Sequence, residues 1–157
     1  MSTRVTKKDI PMVESQSLQL FFSAAEMNEQ ISLYLSNALK DRGYESVTPC
    51  VLKSLSALEC GINYSSEIAR SLGISRQVVA KKVKELCSIG YLEQVDGKGK
   101  QKQILFTELG ERLMSDSRQL LAELDEILCE TIDRATLEET VERLKRIQAV
   151  VLDIDKD

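Results

Sequence analysis

From Ser65 to Phe106 the chain is punctuated too closely for any long element. Ser65 or Ser66 opens a run with Ile68, Ala69 and Leu72 apolar, Gly73 stops it, and Ser75 starts another run two residues later. A serine ahead of an apolar-periodic run caps a helix by accepting a backbone N–H, and a glycine ends one in a left-handed conformation that other residues avoid. The spacing predicts a helix of about two turns, a tight turn and a second helix from about Ser75 to Ser88. That second helix carries Val79, Val83, Leu86 and Ile89 on one stripe, with Gln77, Ala80, Lys81 and Lys84 opposite, at roughly 100° per residue. Gly90 closes it. Tyr91 to Val95 and Gln101 to Phe106 then read as strands, with Asp96-Gly97 as a two-residue hairpin signal and Lys102, Ile104 and Phe106 on one face.

Longer helices flank this segment. Ser17 to Arg42 has Leu18, Phe21, Phe22, Ala25, Ile31, Tyr34, Leu35, Ala38 and Leu39 at three-to-four spacing and ends at Gly43. Thr48-Pro49 is a cap followed by a proline where its missing N–H is harmless, opening a helix to about Cys60. Thr107 caps a helix from about Glu108 to Ile132, and Thr136 to Glu139 reads as a capping box for the last one. Near its end Ala149, Val150, Leu152 and Ile154 leave almost no polar face. A terminal helix of that kind needs burial beyond what a small chain supplies, so a second subunit is expected. The fold class is thus mainly α with a small β-hairpin wing: a winged helix-turn-helix over residues 44–107, a helical dimerisation region over 17–43 and 108–157, and a flexible arm over 1–16.

Charge points to the partner. The chain of 157 residues has a net charge of -4. Between Ser75 and Lys102, however, seven basic residues stand against three acidic ones, a local +4 that leaves -8 elsewhere. Local field, more than net charge, governs binding to an anionic polymer. A helix at this position fits a major groove, with residues near its N-terminus at base edges. Arg76 and Gln77 occupy that end and suit guanine and adenine. Lys81 and Lys84 lie further along the exposed face and suit phosphates, as do Lys98, Lys100 and Lys102 on the wing. Ser65, Ser66 and Ser75 stand at helix starts, where hydroxyls and N–H groups can meet a phosphate or simply cap.

The stretch SSEIARSLGISRQVVAKKVKELCSIGYLEQV, Ser65 to Val95, and the wing ending in QILFTELG at Gly110 resemble the MarR family of bacterial and archaeal regulators. In that family the long helix after the wing is entered by a Leu-Thr-x-x-Gly-like motif, which reads Phe106-Thr107-Glu-Leu-Gly110 here. The resemblance implies N- and C-terminal helices interlocked in a homodimer that binds a pseudo-palindromic operator in double-stranded DNA. It also implies a transcriptional regulator, by default a repressor because occupancy alone suffices, and a small-molecule effector whose site the sequence leaves unknown. Tyr34, Met27, Phe21 and Tyr44 could line such a site and read equally well as core. The wing departs from the family, whose Asp-x-Arg or Asp-Arg pattern places an arginine in the minor groove. Asp96-Gly97-Lys98 offers no arginine, so phosphate contact is expected with weaker reading of groove shape.

Other classes fit poorly. The chain has no histidine, the commonest general base, and neither a phosphate loop nor a paired-carboxylate motif, so an enzyme is not expected. The four cysteines are widely spaced and have no histidine to complete a zinc site, so neither metal nor cofactor is expected. Cys50, near a helix start, is the candidate redox thiol; Cys87 and Cys129 read as core. No run approaches the roughly 18 residues of a membrane span, and the expectation is a cytoplasmic protein without membrane contact. The rival reading is a winged-helix protein-interaction adaptor without DNA binding, which would need no basic helix and wing.

Overall fold

The structure, a computed structural model, describes residues 14–154; of the arm expected over residues 1–16, residues 1–13 lie outside it. Six helices and one hairpin follow in the order α1 (Gln16–Asp41), α2 (Pro49–Glu59), α3 (Ser65–Leu72), α4 (Arg76–Ile89), β1 (Leu92–Asp96), β2 (Lys102–Phe106), α5 (Glu108–Thr131) and α6 (Arg134–Ile154). Three expected caps start their helices: Thr48 accepts the N–H of Val51, Ser75 that of Val78 and Thr107 that of Gly110. Ser15 caps α1 through the N–H of Leu18, and α3 starts from Tyr64 without a side-chain cap, so Ser65 and Ser66 lie inside it.

The core gathers where the short elements meet. Leu55 of α2, Ile68 of α3, Val83 and Leu86 of α4, and Ile104 of β2 are almost wholly buried, and Leu39 of α1 and Leu113 of α5 seal the same cluster. Tyr91 is buried to 1% exposure between α4 and β1, and its hydroxyl donates to the Glu45 carbonyl at 2.8 Å. The start of α5 is pinned from two sides. The Thr107 hydroxyl donates to the Gly90 carbonyl, and Gly110 lies so close to Tyr91 that a Cβ there would collide with the Tyr91 carbonyl oxygen. Only glycine lets α5 approach so closely, which explains that glycine's place in the entry motif.

Two local expectations are corrected. The hairpin does not turn on Asp96-Gly97: Asp96 pairs with Lys102 across the antiparallel ladder, and the turn runs through Gly97 to Gln101. The Gln101 N–H donates to the Lys98 carbonyl, and Gly99 takes the positive φ of 65° that a tight hairpin turn requires. The register is set further down, where Ile104 enters the core and its N–H donates to the Asn63 carbonyl at 2.8 Å. Second, α6 starts at Arg134, and its cap is Asp133, whose carboxylate accepts the Thr136 N–H at 2.7 Å and the Thr136 hydroxyl at 2.9 Å. An anionic cap also suits the positive end of a helix, so the box read at Thr136 yields to Asp133 one turn earlier.

The outer helices are packed differently. α1 lies on α5, and α6 meets the end of α5, but α6 contributes no buried residue. Phe21, at 68%, and Met27, at 58%, are exposed, so the core reading of these two does not hold within one chain. They stand on α1 ahead of its buried residues Leu35, Ser36 and Leu39. Among the described residues no helix is long and apolar enough to cross a membrane.

Candidate nucleic-acid interface

α4 presents the face its periodicity predicts. Val79, Val83 and Leu86 hold it to the core, while Gln77, Lys81 and Lys84 are exposed along the opposite side. Ser75 is occupied as the N-cap, accepting the Val78 N–H at 3.3 Å. Val78 itself is 46% exposed beside Gln77. Read as one more apolar residue of the helix, it carries no sequence signal; its exposure on the outward side makes it a candidate contact for a thymine methyl.

Ser65, Ser66, Arg76 and Lys102, far apart in the chain, come together. They line one groove of about 330 Å³ between the start of α3, the start of α4 and the hairpin. Tyr64, Gln94 and Gln101 complete its walls. These three carry no recognisable motif, because only the folding of the hairpin against α3 brings them together. Tyr64 is the brace. Its hydroxyl accepts the Lys98 N–H at 3.3 Å, and a Cβ on Gly97 would lie 2.8 Å from its ring. Lys98 and Lys100 stand outside the groove, exposed on the wing tip.

The electrostatics separate the two ends of the molecule. The ion pairs among the described residues are made by other arginines: Arg42 to Asp116 and Glu123, and Arg112, Arg118, Arg134, Arg143 and Arg146 each to a glutamate. Those pairs lie on α1, α2, α5 and α6, and the basic helix and wing take no part in them. Of the cysteines, Cys50 and Cys60 are exposed, whereas Cys87 and Cys129 are partly buried. Burial, with the nearby Glu93 carboxylate, pushes the Cys87 thiol above its ordinary pKa and makes it a poor nucleophile. Among the described residues there is no group of three or more cysteine and acidic side chains able to hold a metal ion.

The arrangement defines a winged helix-turn-helix flanked by long helices. No protein-family model matches the chain, and no curated protein matches it in sequence. Solved structures do match, over nearly the whole chain. A MarR transcriptional regulator from Methanosarcina mazei Go1 has 17% identity and a TM-score of 0.72, over 89% of this chain and 94% of that one. Wild-type MarR from E. coli in its apo form has 14% identity and a TM-score of 0.66, over 87% and 98%. MepR, a transcription regulator of the Staphylococcus aureus multidrug efflux pump MepA, has 15% identity and a TM-score of 0.65, over 88% and 99%. The chain thus has the fold of the MarR-family transcription regulators, as its wing and α5 entry led one to expect.

Proposed function

We propose that this chain is a MarR-type transcriptional regulator that binds a pseudo-palindromic operator in double-stranded DNA as a homodimer and represses by occupancy. The observation that carries the reading is the basic surface of α4 and the wing, exposed and outside the ion pairs of the described residues, set on the fold shared with known transcription regulators. In this reading Gln77 meets base edges with Val78 beside it, and Ser65, Ser66, Ser75, Arg76, Lys81, Lys84, Lys98, Lys100 and Lys102 make up the rest of the DNA-facing surface. Phosphate contacts fix register and base contacts specify sequence, so lysines dominate affinity and the short α4 terminus dominates choice of site.

The dimer reading is supported by apolar side chains that one chain leaves open. Phe21 and Phe22 of α1, Ile127 of α5, and Val150, Val151, Leu152 and Ile154 of α6 are all more than half exposed. Large apolar side chains left open on α1, α5 and α6 support an interaction surface on these helices. A two-fold dimer would set its recognition helices about 34 Å apart, one turn of DNA.

Selection of duplexes from a random pool by the purified protein, followed by sequencing, tests this directly. Enriched inverted repeats with half-sites about one helical turn apart are expected. A pool with no enriched sequence would refute the reading and leave the adaptor in its place.

A further inference from the structure

Resting on the DNA-binding reading, we infer that Arg76 holds a backbone phosphate, in a seat shared by α3, α4 and the wing, and does not read a base edge. Its position at the start of α4 first pairs it with Gln77 as a base reader. The helix geometry separates them. At about 100° per residue, Gln77, Lys81 and Lys84 fall within some 60° of one another, whereas Arg76 stands a further 80° to one side. On that flank Arg76 lines the groove with Ser65 and Ser66 on one wall and Gln94, Gln101 and Lys102 on the other.

The lining suits a phosphodiester. It holds two cations, three hydroxyls and two amides, and no carboxylate. Arg76 and Lys102 are absent from the ion pairs of the described residues, so their charge is available to an external anion. Tyr64, the N-cap of α3, makes no side-chain capping hydrogen bond, while its carbonyl takes the N–H groups of Glu67 and Ile68. The earlier N–H groups, of Ser65 and Ser66, have no intrahelical acceptor, and both residues line the groove at the positive end of α3. A planar guanidinium is suited to two-pronged capture of a phosphate, and the Tyr64 brace holds the hairpin that carries Lys102 against the start of α3. The base-reading role then falls to Gln77 and Val78.

Duplexes selected by the wild-type protein provide the test, with Arg76→Ala, Arg76→Lys and Gln77→Ala compared by salt-dependent binding and by methylphosphonate substitution of single backbone linkages. Arg76→Ala should weaken every duplex by the same factor and make the log-log salt slope shallower by about 0.9 per protomer. Arg76→Lys should restore most of that slope. One neutral linkage per half-site should weaken the wild type and leave Arg76→Ala unaffected, while Gln77→Ala should flatten preference at one base pair with its slope unchanged. A loss of preference at a single base pair in Arg76→Ala, with the slope intact, would overturn the phosphate assignment and leave DNA binding standing. A wild type that binds no duplex would overturn both.

Discussion

The winged segment and the outer helices use the same apolar vocabulary to opposite ends. In α2 to α4 and the hairpin, leucine, valine and isoleucine at helical or alternating spacing are hidden within the chain: Leu55, Ile68, Leu86 and Ile104 are at most 1% exposed. In α6, residues at equally regular spacing remain open, from Leu144 at 39% to Ile154 at 68%. Periodicity shows that a face wants burial without showing what buries it. Three short helices and a hairpin converge on one centre and satisfy one another. A long helix that meets α5 and buries none of its own residues has no such centre, and a second copy of the chain would provide it.

The contrast breaks most visibly if the two regions are damaged separately. Leu144→Glu with Val151→Glu should split the proposed dimer, measured by sedimentation equilibrium, with the winged segment still folded. Loss of bivalence should then weaken binding to a two-half-site duplex by about 10² to 10⁴-fold. Damage to the other region should appear as instability: Leu55→Ala, at a fully buried position, should lower unfolding free energy by about 2 to 5 kcal/mol in urea titrations. The wing should respond in neither way. Lys98→Ala with Lys100→Ala should leave stability within about 0.5 kcal/mol, because both side chains are exposed. The same pair should reduce the salt slope of DNA binding by about 0.9 for each phosphate no longer neutralised.

The smallest effect concerns the junction of the two regions. Tyr44, after α1, donates its hydroxyl to Asp116 of α5 at 2.7 Å, and burial, followed by that carboxylate, pushes its pKa up to about 12 from 10. A phenol raised in the folded state contributes stability that is complete below pH 10 and is lost as pH rises toward 12. Tyr44→Phe should therefore flatten the alkaline fall of stability in that window, measured by urea unfolding at successive pH values. An unchanged fall would assign it to other groups, Tyr91 among them, whose pKa burial also raises.

What was legible in the chain followed from local rules. Caps at Thr48, Ser75 and Thr107 act over three residues, and the stripe of Val79, Val83 and Leu86 needs only helical spacing, so these elements appear where expected. What failed depended on partners distant in sequence. Asp96-Gly97 is a sound local turn signal, but the register obeys Ile104 in the core and the Asn63 carbonyl. Phe21 falls at core-like spacing, yet it and Met27 stay exposed among the described residues. The candidate site was legible as a set of charges and not as a geometry: Tyr64 gave no signal, and nothing in the sequence separated Arg76, which lines the groove, from Gln77, which does not.

If the basic helix and wing bind the DNA backbone on a dimeric frame, a salt series on the wild-type protein will reveal it. With about six to ten phosphates contacted by the dimer, affinity for a selected duplex should fall by about 10³ to 10⁵ between 50 and 200 mM salt. Binding that stays flat across that range, or no binding at the lowest salt, would contradict this mode of DNA binding.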